Sequence, residues 1–356
     1  MAFKAALILA SIAQLLAAIL ALRINLRYRI YSAWFFLSAA ACVGAMLRLT
    51  TLSEVWNETP TFLNNGPLWL SAVASLLASI LLLAGMALIE PFFIRLALAE
   101  QTLLKEHRQL ESIVRETEGE LELAQRIQRR LLPASPPELP EVDVYGESVA
   151  ADWTSGDYFD YLALRSGATA TMIADVSGHG LGPALLMSSI RASFRGLSRT
   201  LSDVGELLTY GNRAVVDSVS DSEFVTAFAV RYDAESRTLF YAGAGHVAYL
   251  LKHSGQSLLL EASAPPLGIL PELAVETCQQ ADIEVGDVLI LVTDGILESR
   301  NASGEMFGEQ RLLDSVAESR TQPARSIVRN LLHTSHAFSQ GKPQQDDITA
   351  VILKFV

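Results

Sequence analysis

Three long runs of uncharged, apolar residues near the start of the chain restrict its architecture more than any other feature. The runs cover residues 5–22, 30–47 and 67–89, and none of them contains Asp, Glu, Lys or Arg. A helix of about 20 apolar residues spans the ~30 Å hydrocarbon core of a bilayer. We therefore predict three transmembrane helices in residues 1–90. The alternative for the first run is a cleaved signal peptide with Lys4 as its basic end.

The charges between these runs predict their orientation. Arg23, Arg27 and Arg29 lie between the first two runs, whereas residues 50–66 carry Glu54 and Glu58 and no Lys or Arg. Loops rich in Lys and Arg stay on the cytoplasmic side of the membrane. We expect a multi-pass protein of the inner (cytoplasmic) membrane, with everything after residue 89 in the cytoplasm.

The next segment, residues 91–133, has a helical pattern with a heptad repeat. The stripe consists of Leu96, Leu103, Leu110, Thr117, Ala124 and Leu131. Apolar residues at this spacing favour an imperfect coiled coil, which predicts a homodimer. The alternative is a single amphipathic helix packed on the following domain. Pro133, Pro136 and Pro137 break the pattern and mark a domain boundary.

From residue 134 to 356 short apolar runs alternate with turns. Strands are predicted at 142–150, 158–164, 169–175, 224–232, 237–243, 247–252, 286–293 and 347–355. Helices are predicted at 181–199, 203–219, 308–318 and 324–338. Because strands and helices each come in runs, we expect an α+β domain with largely antiparallel sheets rather than repeated βαβ units.

Composition excludes several kinds of site. The chain has two cysteines and a net charge of −12, which excludes a disulfide framework and disfavours a nucleic-acid surface. No glycine-rich phosphate loop follows a predicted strand, so a nucleotide cradle has no support.

Four acidic residues lie at the ends of apolar runs in the C-terminal domain. Asp157 precedes a predicted strand, Asp175 and Asp294 follow strands, and Asp346 precedes the last strand. Carboxylates without a Cys or His cluster suit hard ions, Mg²⁺ or Mn²⁺. Spacing alone leaves a metal site and ordinary acidic turns equally open, since Asp is common in turns.

A series of motifs favours the metal site. The motifs occur in the order AQRIQRRLLP, SGDYFD, IADVSGHG, FVTAFAVRYDAESRTLFYAGAGH, APPLGIL, LVTDGILES and QQDDITAVIL. Together they resemble the SpoIIE-type branch of the PPM metal-dependent protein phosphatases, from about residue 123 to 356. The resemblance implies an α-β-β-α sandwich and the hydrolysis of phosphoserine or phosphothreonine on proteins. It also implies a bacterial signalling substrate, a phosphorylated anti-sigma-factor antagonist.

The resemblance assigns roles to individual residues. Asp175 resembles the aspartate that bridges two metal ions, and Val176 would contribute its backbone carbonyl. Asp294 and Asp346 resemble further ligands, while Asp157 resembles the acid that holds water or an added ion. A water activated by the two ions would then attack phosphorus. Asp347 and Asp160 are expected to be structural.

Two other function classes stay open from the sequence. A membrane sensor kinase would need a phosphoacceptor histidine motif and an ATP-binding motif set, and neither is visible. A non-catalytic interaction module with the phosphatase fold would have lost metal-binding acids, whereas this chain keeps the full set. The resemblance further suggests that the helix in AQRIQRRLLP shifts to regulate the metal site.

Overall fold

The computed structural model describes residues 2–28, 33–57, 66–220, 222–340, 342 and 344–356. The chain divides into two compact units, Met1–Arg115 and Glu116–Val356. The predicted loop at Glu58 and the start of the second apolar run at residues 30–32 lie outside the described residues.

Helices build the first unit. They are α1 (Ala2–Tyr28), α2 (Ala33–Asn57) and the first part of α3 (Gly66–Arg129). Small side chains are buried where α1 and α2 meet, among them Ala17, Ala21 and Ala41. Small residues allow two apolar helices to approach closely. A buried hydrogen bond from Ser79 Oγ to Gln14 Oε1 (2.8 Å) adds a polar contact between α3 and α1.

The apolar helices meet the requirements for a membrane span only in part. Among the described residues, Leu76–Arg129 contains a stretch long and apolar enough to cross a bilayer, while Leu7–Arg23 and Ser38–Ser53 are apolar but shorter. The prediction of three transmembrane helices is therefore not supported in full. Three apolar helices occur among the described residues, and one of them is long and apolar enough to cross a bilayer.

Helix α3 ends close to the predicted boundary. Its last helical residue is Arg129, and the chain leaves it through a turn in which the Leu131 N–H donates to Gln128 O (2.8 Å). The helix runs through Pro91, although a proline removes one backbone hydrogen bond from a helix interior. Pro133 follows the turn and prevents the helix from continuing.

Two antiparallel five-stranded sheets form the centre of the second unit. Sheet I has the strand order β1-β10-β9-β6-β7, and sheet II has the order β2-β3-β4-β5-β8. The strands of sheet I are β1 (Val142–Val149), β10 (Ile348–Phe355), β9 (Val288–Val292), β6 (Ala248–Leu251) and β7 (Ser257–Leu260). Those of sheet II are β2 (Asp157–Ala163), β3 (Thr169–Val176), β4 (Val225–Asp233), β5 (Thr238–Ala244) and β8 (Cys278–Gln280).

Alternation along the strands separates the core into three layers. Ile173 and Phe228 of sheet II meet Leu291 and Val351 of sheet I between the sheets. The alternate residues of sheet II face α4 (Leu181–Ser198) and α5 (Val204–Val216), and those of sheet I face α7 (Gly308–Ser319) and α8 (Ala324–Phe338). Successive strand residues point to opposite faces, so each strand supplies two layers. The predicted α-β-β-α sandwich is confirmed.

Three short elements were not predicted. They are β7, β8 and a four-residue helix, α6 (Asp294–Leu297). β8 contributes the sequence Cys-Gln-Gln to the edge of sheet II, where it pairs with β5. Such a short polar segment carries no alternation, so its strand conformation comes from its neighbour.

Candidate active site

Asp157 and Asp175 face each other across two neighbouring strands. Asp157 begins β2, Asp175 lies near the end of β3, and the two are direct antiparallel partners. Directly opposed residues place their side chains on the same face of a sheet, and like charges there are destabilising. Asp157 is buried, with 1% of its surface exposed. The fold therefore forces two carboxylates together at a place where neither is readily solvated.

The turns after β9 and before β10 bring the other two predicted acids to the same end of the sandwich. Asp294 opens α6 directly after β9, and Asp346 lies just before β10. Burial, followed by the charges of Asp294 and Asp346, raises the pKa of Asp175 to about 7. All four acids of the sequence prediction thus belong to one electrostatic cluster.

The cluster lacks a compensating cation. Burial and the charge of Asp175 raise the pKa of Asp157 well above its usual range, while hydrogen bonds from Thr349 and Thr293 act in the opposite direction. Burial, then Asp346 and Glu298, raises the pKa of Asp294. In the part of the chain that the structure describes, none of the four acids has a Lys, Arg or His nitrogen within 4.0 Å. Unpaired carboxylates at this spacing are the environment that a bound cation would stabilise.

Two glycines allow the loops of the cluster to approach each other. A Cβ at Gly295 would lie 2.0 Å from Asp347 O, and a Cβ at Gly156 would lie 2.9 Å from Val176 O. Neither position accepts a side chain unless the backbone moves. These contacts explain the glycines of the TDG and SGD motifs: they bring the Asp294 turn against the Asp346–Asp347 turn, and Asp157 against the end of β3.

Val176, the predicted backbone ligand, ends β3 and is buried, with 2% of its surface exposed. Its N–H is oriented towards Gly156 O at 3.4 Å. Gly156 therefore packs against the backbone of Val176, whose carbonyl is the predicted ligand.

Asp347 differs from its neighbour Asp346. Its two carboxylate oxygens accept hydrogen bonds from the backbone N–H groups of Ala151 (2.8 Å) and Gly156 (2.7 Å). Asp347 is buried whereas Asp346 is exposed. Asp347 therefore ties the loop before β2 to the start of β10, as expected for a structural acid.

Asp160 is a structural acid too. It is fully buried on the α4 side of β2, where Arg195 donates to it through Nε (2.6 Å) and Nη2 (2.7 Å). The Tyr158 hydroxyl also donates to it, at 2.8 Å. With these partners, Asp160 fixes α4 against β2 and does not belong to the unpaired cluster.

Some residues of the site carried no signal in the sequence. The hydroxyl of Thr293 donates to Asp157 Oδ2 (2.8 Å) and accepts from the N–H of Thr349 (2.9 Å). The amide of Gln128, near the end of α3, donates to Ser155 O (2.6 Å) and accepts from Ser155 N–H (2.9 Å). Gln128 lies within the AQRIQRRLLP motif, but the motif does not identify its partner.

Other polar residues nearby are engaged elsewhere. Ser177 Oγ accepts from the Phe224 N–H (3.0 Å), and His179 is exposed. His246 Nδ1 lies 3.1 Å from Thr226 Oγ1, and burial lowers the pKa of His246 to about 4. His246 is therefore a neutral, buried residue beside Thr226 of β4.

One compact group of three potential metal ligands occurs among the described residues, and it lies elsewhere. It consists of His253, Glu284 and Asp287, whose ligand atoms lie within 4.8 Å of one another. Asp287 already accepts from Lys252 Nζ and from the backbone N–H groups of His253 (2.8 Å) and Glu284 (2.9 Å). This acid is compensated and fixes a turn. The four predicted acids do not form such a compact trio.

The sequence profile described as Stage II sporulation protein E (SpoIIE) matches residues 165–356 of the chain. The chain belongs to the SpoIIE family. It is 30% identical over 267 residues to the phosphoserine phosphatase RsbU of Bacillus subtilis, an alignment that covers 74% of this chain and 78% of RsbU. Both findings agree with the resemblance carried by the motifs.

Solved structures show the same fold. The SiaA-PP2C domain of Pseudomonas aeruginosa superimposes with a TM-score of 0.60 at 23% identity, over 68% of this chain and 98% of that domain. The phosphatase domain and regulatory fragment of SpoIIE from Bacillus subtilis superimpose with a TM-score of 0.54 at 20% identity, over 61% and 64%. The predicted enzyme class, a serine/threonine phosphatase, is confirmed by the SpoIIE-family relatives.

Metal ions occur in further phosphatase structures. RsbX was solved in complex with magnesium (TM-score 0.47, 16% identity, over 62% of this chain and 98% of that chain). The catalytic domain of PstP was solved with two manganese ions (TM-score 0.46, 14% identity, over 60% and 97%).

Proposed function

We propose that this chain is a protein serine/threonine phosphatase that holds Mg²⁺ or Mn²⁺ with Asp157, Asp175, Asp294, Asp346 and the carbonyl of Val176. The observation that carries the proposal is the unpaired acid cluster, in which the pKa of Asp175 is raised to about 7. A binuclear site spreads its ligands over two ions, which suits four acids that do not form one compact trio. When bound, such ions activate a water and neutralise phosphoryl oxygens.

The chain's own residues hold the acids in place. Thr293 orients the Asp157 carboxylate, Asp347 fixes the loop that leads to it, and Gly295 sets Asp294 against the start of β10. Among the residues that the structure describes, neither Ser177 nor His179 contacts a basic or acidic side chain that would make it a nucleophile or an acid. Asp175 pairs with Asp157 across the strands and is also influenced by the charges of Asp294 and Asp346, which would suit it to contact both ions.

The substrate we propose is a phosphorylated protein, specifically an anti-sigma-factor antagonist. Support comes from the similarity to RsbU, which is named a phosphoserine phosphatase. The chain spans 78% of RsbU but 46% of RsbP, a second phosphoserine phosphatase of Bacillus subtilis. The SpoIIE profile match at residues 165–356 includes Asp175, Asp294 and Asp346.

We further propose a membrane domain at 1–90, a dimeric linker at 91–133 and a catalytic domain at 134–356. Large apolar side chains cover the outer surface of the first helices, including Leu9, Leu16 and Leu88, each about half exposed or more. Apolar surface of this extent marks contact with a membrane or another protein. The catalytic domain would then lie on the cytoplasmic side of the inner membrane.

The dimer rests on the heptad stripe of the linker. Leu96, Leu103 and Leu110 are 53%, 68% and 61% exposed in the single chain. A parallel coiled coil would bury them against the same residues of a second copy. Crosslinking of a Leu103→Cys variant of the full chain tests this: a disulfide-linked dimer is expected, and a monomer at all concentrations would contradict it.

The catalytic proposal is tested with the full chain purified in detergent. With Mn²⁺ it should hydrolyse an aryl phosphate and a phosphoserine peptide, and Asp294→Asn should abolish both reactions. Asp314→Asn, an exposed acid on α7 that accepts from Gln310, is the matched control and should retain activity. Full activity of Asp294→Asn would contradict the site; no activity in the unmodified chain would favour a non-catalytic module.

A further inference from the structure

A polar cavity adjoins the acid cluster at Gly295 and Asp346. Its volume is about 200 Å³, and its lining includes Gly295, Asp346, Arg300, Lys342 and His336. Gly295 and Asp346 are also part of the candidate active site. A single bound peptide could therefore place one residue at the acid cluster and a neighbouring residue in the cavity.

Two cations of the lining have no acidic partner. Lys342 Nζ donates to Asn301 O (2.8 Å), and Arg300 Nη1 donates to Gly304 O (3.0 Å). Among the described residues neither cation has a carboxylate within 4.0 Å, whereas the nearby Arg311 pairs with Glu305. Both side chains are exposed, so they can also contact an anion that enters the cavity.

The charge balance of the cavity favours an anion once the active site is loaded. Its acidic lining residues are Glu298 and Asp346. Under the proposed function Asp346 is neutralised by a metal ion, which leaves Glu298 against Arg300 and Lys342. Arg and Lys both donate charge-assisted hydrogen bonds to carboxylates.

The size of the cavity limits the occupant. A volume of about 200 Å³ equals roughly seven waters at ~30 Å³ each. Pockets for small molecules and cofactors are about 300–1,000 Å³. The space suits one amino-acid side chain better than a nucleotide or a second cofactor.

We propose that this cavity binds an acidic side chain, Asp or Glu, that lies close to the phosphorylated residue of the protein substrate. The proposal rests on the proposed phosphatase function and deepens it, because it names a feature of the substrate. The phosphoryl group lies at the acid cluster, and Arg300 and Lys342 hold the neighbouring carboxylate. The subsite thereby selects substrates whose phosphorylated segment is acidic.

The test compares pairs of phosphoserine peptides with the full chain in detergent and Mn²⁺. Members of a pair differ by Glu or Gln at one position, scanned over about four residues on each side of the phosphoserine. At one or two positions we expect Glu to raise kcat/KM about five-fold, as for one solvent-accessible charge pair. The preference should decline with added salt, because exposed charges are screened.

Variants of the cavity identify the source of the preference. Arg300→Gln combined with Lys342→Gln should remove it, and Lys342→Arg should retain it. Arg325→Gln is the matched control, because Arg325 is an exposed cation at the opposite end of α8. Anisotropy of labelled peptides carrying a non-hydrolysable phosphonate gives the same comparison without turnover.

The possible results distinguish a failure of the proposed acidic-side-chain subsite from a failure of the proposed phosphatase function. Hydrolysis without a preference for Glu, or a preference that survives the double variant, would overturn the subsite and leave the phosphatase in place. Absence of hydrolysis of every peptide and of an aryl phosphate would overturn the proposed function and this proposal with it. Loss of the preference in Arg325→Gln would show a diffuse charge effect and also overturn it.

Discussion

Asp157 and Asp160 lie on the same strand and are equally buried, yet their surroundings are opposite. Asp160 accepts from Arg195 and the Tyr158 hydroxyl. Asp157 accepts from Thr293 and faces a second acid, Asp175. A buried charge needs a partner: the chain supplies one for Asp160 and omits it for Asp157. The difference separates an acid that stabilises the fold from the acids that, under the proposed function, hold the metal ions.

Removing one acid of the unpaired cluster should have the largest effect on activity. We expect Asp175→Asn to lower phosphatase activity about 100-fold or more, because each ~1.4 kcal/mol lost is a factor of ten and several kcal/mol depend on the bound ions. Calorimetric titration with Mn²⁺ should show weakened binding. Binding and activity equal to those of Asp314→Asn would place the metal elsewhere.

Removing the paired acid should instead affect stability. Asp160→Asn leaves Arg195, and Arg191 at 3.9 Å, without a counter-charge. Since the Arg195 side chain is 45% exposed, water recovers part of the loss, and we expect about 2–3 kcal/mol. Chemical unfolding of the full chain measures it, with Asp314→Asn within about 0.5 kcal/mol of the unmodified protein. A change as small as the control's would mean that α4 does not depend on this pair.

The unpaired cluster should also make the stability of the metal-free protein depend on pH. Burial and the charges of Asp294 and Asp346 raise the pKa of Asp175 to about 7 in the folded chain, from 3.8 for an isolated aspartate. Between these values the folded state binds more protons than the unfolded state, so stability falls as pH rises through this range. Melting temperatures in EDTA between about pH 5 and 8 should fall with pH, and fall less for Asp175→Asn. Added Mn²⁺ should restore stability at the high end.

The smallest effect concerns the link between α3 and the site. Gln128→Ala removes two hydrogen bonds to Ser155, which we expect to cost about 1–2 kcal/mol. Because Ser155 Oγ accepts from the Asp157 N–H (3.0 Å), Mn²⁺ affinity should fall as well. The exposed Gln310→Ala on α7 is the control. Unchanged Mn²⁺ affinity would show that the contact serves stability alone.

Much of the fold was predictable because alternation and helical periodicity are local. The four long helices of the sandwich and eight of its strands lie within a few residues of the predicted positions. β7, β8 and α6 are too short to show a period, and their conformation depends on neighbouring elements. The apolar helices were located correctly as well, but length and composition support a membrane span for one of them.

The acids of the candidate site can be picked out from the sequence, whereas the residues that support them cannot. Asp157, Asp175, Asp294 and Asp346 follow a recognisable motif order, and the fold brings them into one cluster. Thr293 and Gln128 act on residues 136 and 27 positions away. Short sequence patterns cannot predict a contact between residues so far apart in the chain. Their roles depend on register and loop approach, which only the folded chain defines.

The position of β10 sets the order in which the enzyme can be completed during synthesis. β10 lies between β1 and β9 and pairs with both. A nascent chain made only as far as α6 already carries Asp157, Asp175 and Asp294, but sheet I is open and the SGD loop lacks Asp347. Under the proposed function, catalysis would therefore begin only after the segment around Asp346 has left the ribosome.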